Sequence, residues 1–161
     1  MKTIIFTAAT LLLTSCQSLK SDNPSSLNFD IPHGSTLTLN KELPVESGKT
    51  HTVIQAGKLT SYKEKDLYKV SCSFEMKAFG PRTVKPGTFQ ISRTEDGQEQ
   101  ASTPTIIRYY TEVYLYSGHN SDIIKLVCSV WGDRLDGSFP VSEMQKALGN
   151  YFSFSFAKAN Y

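Results

Sequence analysis

Apolar and polar residues alternate along most of the chain with a period of two, the pattern of strands that bury one face. In "STLTLNKEL" Leu37 and Leu39 oppose Thr36 and Thr38. "HTVIQAG" predicts a short strand closed by Gly57. "LYKVSCSFEMKAF" predicts a long one, with Tyr68, Val70, Cys72, Phe74 and Met76 on its apolar side and an end at Gly80-Pro81. "GTFQISRTE" aligns Phe89 with Ile91 and is expected to stop at Asp96-Gly97, a dipeptide that favours tight turns. "TIIRYYTEVYLYS" and "DIIKLVCSVWG" are separated by the turn-like "GHNSD", so they predict a hairpin. One helix is expected at Glu143–Leu148, opened by Ser142 with Gln145 as a capping box and closed by Gly149-Asn150. Then "YFSFSFA" alternates again, as a last strand or an apolar strip across the core. The sum is a mainly β chain, an antiparallel β-sandwich or small barrel with one short C-terminal helix. A membrane β-barrel fits less well, since alternate residues back from Tyr161 are Ala159, Ala157, Ser155 and Ser153, not a lipid-facing series.

The first residues break this pattern. Lys2 is followed by the apolar run "IIFTAATLLL" and then small residues, the layout of a secretory signal over 1–15. The run is about half of the ~20 residues a membrane-crossing helix needs. Leu13-Thr14-Ser15-Cys16 resembles the lipobox of bacterial lipoproteins. That resemblance implies cleavage before Cys16 and acylation of its thiol. Each buried methylene is worth ~0.8 kcal/mol, and a stable anchor needs more than one chain, as lipoprotein cysteines carry. Gln17 follows in place of the aspartate that favours inner-membrane retention. The resemblance therefore implies an anchor on the periplasmic face of an outer membrane, given a Gram-negative source. Residues 16–26 are polar and rich in Ser, Asn and Pro, and read as the lipidated N-terminus and a flexible stalk with a reach of roughly 15–20 Å. Residues 27–161 form a single β-rich domain by this reading.

With Cys16 assigned to lipid, Cys72 and Cys128 remain. Both fall on the apolar face of a predicted strand, and the periplasm oxidises thiols, so a disulfide is expected. Beyond the lipobox, "IPHGSTLTLNKELPVESGKTHTVIQAGKL", "YKVSCSFEM", "VKPGTFQISR", "KLVCSVWG" and "VSEMQKALGNYF" resemble a family of small, uncharacterised proteobacterial envelope lipoproteins. The resemblance spans about Ile31 to Phe154 and implies the same cysteine pairing within a single domain. It implies no substrate.

Charge and motifs narrow the function. Without Lys2 the chain carries 16 basic and 15 acidic residues. Nucleic acid is not an expected partner, because it demands a concentrated basic surface. No metal or cofactor is expected either. His33, His51 and His119 lack ligand spacing, and no nucleophile elbow or phosphate loop occurs. Catalysis is therefore the runner-up reading, a hydrolase assembled from distant residues with Glu112 and His119 as its candidates; a small-ligand carrier is a third. The leading surface is in "RYYTEVYLYS". Ile107, Tyr109, Thr111, Val113 and Leu115 form one face, expected to be core. Arg108, Tyr110, Glu112, Tyr114 and Tyr116 form the other, with Trp131 able to join them if its strand pairs alongside. Tyrosine combines apolar area with a polar tip, so this face is the candidate binding surface for an envelope protein or peptidoglycan.

Overall fold

The computed structural model describes residues 20–116, 118 and 122–158; Cys16, and His119 with most of the "GHNSD" turn, lie outside them. The strands are β1 (Thr36–Leu39), β2 (Leu43–Val45), β3 (His51–Gln55), β4 (Lys58–Thr60), β5 (Ser71–Met76), β6 (Arg82–Val84), β7 (Gly87–Gln100), β8 (Ile106–Tyr116), β9 (Ile123–Asp133) and β10 (Phe152–Ser155). One helix, α1 (Val141–Leu148), precedes β10. Eight strands make an antiparallel sheet in the order β10-β1-β7-β8-β9-β5-β3-β4, and β2 pairs with β6 in a small second sheet.

The large sheet curls into a half-barrel. Phe74 on β5 and Phe152 on β10 stand five places apart in the strand order, roughly 24 Å in a flat sheet. Their ring centroids are 5.0 Å apart, and Phe74 also meets Phe89 of β7 at 5.7 Å. The helix fills the hollow, burying Val141, Met144, Ala147 and Leu148 and packing on β3, β5 and β10. At its C-terminal end Gly57 N–H donates to the Ala147 carbonyl at 2.9 Å. The backbones of Gly57 and Gly149 meet so closely there that a Cβ on Gly149 would strike Gly57 Cα.

The Cys72–Cys128 disulfide is formed, and its cysteines are direct register partners on β5 and β9 with no exposed surface. The β8–β9 hairpin is also present, with Ile107, Tyr109, Thr111, Val113 and Leu115 all buried on its inner face. The "YFSFSFA" strip is a true strand, pairing on β1.

Three sequence expectations are corrected. Asp96-Gly97 is no turn: β7 runs through it to Gln100, held by its ladder with β8. The long predicted strand begins only at Ser71. Residues 61–70 turn across the outside of the sheet, because the Gln55 side-chain amide donates to the Asp66 and Lys69 carbonyls at 2.7 and 3.0 Å. Its carbonyl oxygen accepts from Asp66 N–H at 2.9 Å. Ser142 does not cap the helix. Pro140 takes the cap position in an extended conformation, and Ser142 N–H donates to the Pro24 carbonyl at 3.0 Å, so a tertiary contact replaces the capping box. The same contact brings Pro24 to the start of α1; nearby, Lys20 pairs with Asp30 at 3.3 Å and the Phe29 ring meets Phe156 at 5.0 Å.

Candidate functional site

The residues of β8 that point away from the core meet those of β7 and β9 in three short rows. Register sets Arg93, Glu95, Gly97 and Glu99 opposite Tyr114, Glu112, Tyr110 and Arg108. On the other side Lys125, Val127, Ser129 and Trp131 face the same four. A bulge between Ile91 and Arg93 brings Arg93, rather than Ser92, opposite Tyr114.

Glu95 and Glu112 are like charges directly across from each other, a destabilising pair unless compensated. The compensation is complete. Lys125 Nζ donates to Glu112 Oε1 at 2.6 Å, and the Tyr114 hydroxyl donates to Glu112 Oε2 at 2.6 Å. Arg93 Nε donates to Glu95 Oε1 at 2.7 Å, and its guanidinium lies 3.6 Å from the centroid of the Tyr114 ring. Arg108 pairs with Glu99 at 2.6 Å and sits 5.0 Å from the Tyr110 ring centroid.

These contacts set the protonation of the face. Partial burial pushes the Glu112 carboxyl up, but the Lys125 ammonium and Tyr114 hydroxyl bonded to it bring it below the usual carboxylate range. Tyr114 is raised, first by giving its proton to Glu112. Burial works against the Lys125 charge, yet Glu112 holds its pKa above the ordinary lysine value. A depressed carboxyl adds stability that is present above its unfolded pKa and lost as pH falls through the folded one. Lys125→Gln is therefore expected to lower stability near neutral pH by about 1 kcal/mol. The difference from the parent should shrink as pH falls below about 4, where unfolded glutamates protonate. Denaturant titrations at the two pH values check this.

Tyr110 lies over Gly97, whose missing side chain leaves room for the ring; a Cβ there would overlap it. Glycine in a strand ordinarily costs ~0.5–1 kcal/mol relative to alanine. Here the collision outweighs that gain, so Gly97→Ala is expected to destabilise by about 1–3 kcal/mol, as overpacked sites do. Denaturant unfolding gives the sign directly.

The structure thus joins Arg108, Tyr110, Glu112 and Tyr114 in one network, while Tyr116 stands at the end of the row, 63% exposed. Sequence reading missed Arg93, Glu95, Glu99 and Lys125. Trp131 does join the face, opposite Arg108, with the exposed Tyr68 ring edge-on at 6.3 Å. Beyond it, Ser71, Ser73 and Ser129 are buried polar residues on the same side of the sheet, and Lys65 Nζ reaches Ser71 Oγ at 3.3 Å. Burial, and secondarily Arg108, hold the Lys65 ammonium below the ordinary lysine range.

No three His, Cys, Asp or Glu side chains among the described residues gather as metal ligands. Nor is any helix there long and apolar enough to cross a membrane. No family model, curated protein or solved structure matches the chain.

Proposed function

We propose that this chain is a lipid-anchored protein of the bacterial envelope, held through Cys16 on the periplasmic face of an outer membrane. Its β domain works there as a binding or assembly module for a protein or cell-wall glycan partner, without catalysis. The observation that carries the reading is the outward face of β7, β8 and β9, where Tyr110, Tyr114 and Trp131 stand among fixed charges on a rigid sheet. Rigid aromatic side chains give contact area at low entropic cost, and the flanking charges orient a partner. The lipobox-like "LTSC" supplies the anchor, and a buried disulfide suits an oxidising compartment. In the hydrolase alternative Glu112, ion-paired with Lys125 and held ionised, would fill the role of nucleophile or base and not that of the general acid, whose pKa must be raised.

The test is photo-crosslinking in cells of the source organism, with a photoreactive phenylalanine at Tyr110 or Tyr116 and a control at Lys85. A discrete adduct from the two tyrosine positions and none from the control is the expected result. Equal labelling from all three positions, or none from the tyrosines, would overturn the reading.

A further inference from the structure

A second concavity lies on the same side of the sheet, farther along the strand order, where β3, β4 and the start of the 61–70 crossing meet. Its volume is about 350 Å³, within the range of small-molecule sites. Val53, 4% exposed, contributes to its apolar lining, together with Pro44 and the partly exposed Leu59. One corner is aromatic: the rings of His51 and Tyr62 meet edge-on, with centroids 5.0 Å apart. Around this apolar body stand two ammonium groups, Lys49 and Lys63, both exposed.

Seven other cations among the described residues are neutralised where they stand. Lys20, Lys69, Arg82, Arg93, Arg108, Lys125 and Lys146 each have a carboxylate partner. Lys49 and Lys63 have none among the described residues. Glu46 is the single acid of the lining against Lys49 and Lys63. Glu64, which accepts from the Ser61 hydroxyl at 3.0 Å, and Glu75, the register partner of His51, border the hollow, and Lys65 stands behind it with its Nζ 4.5 Å from the Tyr62 ring centroid. An apolar hollow rimmed by unpaired cations complements an occupant that is apolar in body and negative at one end.

We infer that the hollow between β3, β4 and Tyr62 binds a small organic monoanion with a flat or short apolar body, of the aromatic or short-chain carboxylate class. The body rests on Val53, Leu59 and the Tyr62–His51 corner, and the carboxylate sits between Lys49 and Lys63. This site stands independently of the partner surface on β8.

Two probes that differ only in charge test it: 2-naphthoate and its neutral counterpart 2-naphthamide. Each is titrated into the purified, disulfide-bonded protein while amide shifts are followed by ¹H–¹⁵N spectroscopy. The naphthoate should shift amides of residues 44–63 with a dissociation constant on the order of 1 mM or tighter. The amide should bind at least tenfold more weakly. A Lys49→Gln/Lys63→Gln variant should lose the same factor for naphthoate while keeping its melting temperature, since both side chains are exposed. Equal binding of the two probes, unchanged naphthoate affinity in the variant, or shifts confined to other parts of the fold would overturn the assignment.

Discussion

Replacing Phe74 by alanine is expected to cost about 3–5 kcal/mol, the range for a fully buried phenylalanine. Its ring has no exposed surface and touches both Phe89 and Phe152, so one side chain on β5 holds together strands β7 and β10 from the other half of the sheet. Loss of the ring removes burial energy and also opens a cavity where the sheet curls on itself. Domains of this size have about 5–15 kcal/mol of stability in all, so the variant should be marginal or unfolded near 37 °C. Guanidinium unfolding checks the value. Phe74→Leu, which keeps most of the volume, should recover more than half of the loss. A Phe74→Ala cost below about 1 kcal/mol would mean the hollow is not closed by this contact.

The second large effect belongs to the Cys72–Cys128 bond. It ties residues 56 apart in sequence and encloses β6, β7 and β8 in its loop. Closing a loop of that length restricts the unfolded chain by up to ~4 kcal/mol in the entropy model. A Cys72→Ala/Cys128→Ala variant is expected to lose about 2–4 kcal/mol, measured as the shift in the denaturation midpoint. Since both sulfurs are wholly buried, reductant alone should act slowly on the native protein and quickly once denaturant is added. A variant as stable as the parent would show that the bond adds nothing to the β5–β9 ladder.

Why some of this was legible in the sequence, and some was not, follows from what each element packs against. The strands β1, β8 and β9 were readable because one face is mostly apolar and the register of side chains enforces it. The second half of β7 was not, because its inward positions Thr94, Asp96 and Gln98 carry no apolar signal. Its strand conformation comes from a ladder with β8, a non-local cause that a local turn preference at Asp96-Gly97 cannot reveal. The opposite error occurred at Tyr68 and Val70, where alternation exists without a partner strand. The Gln55 amide captures that backbone instead.

The same division holds at the candidate site. Arg108, Tyr110, Glu112, Tyr114 and Tyr116 were found because one strand carries them all. Arg93, Glu95 and Lys125 enter by register across neighbouring strands, and Arg93 only by virtue of the bulge before it. The packing of the Tyr110 ring over Gly97 likewise emerges only from register, since the sequence alone reads Gly97 as a turn residue. The cysteine pair was legible by counting, once Cys16 was set aside for lipid.

The proposed acylation of Cys16 underlies the localisation in this account: it would hold the domain at a membrane, in an oxidising compartment. The most direct test is intact and peptide mass spectrometry of the protein extracted from membranes of its source. The account predicts an N-terminal peptide that begins at Cys16 and bears acyl chains, and a Cys16→Ser variant that leaves the membrane fraction. An unacylated Cys16, with membrane association unchanged in the variant, would contradict it.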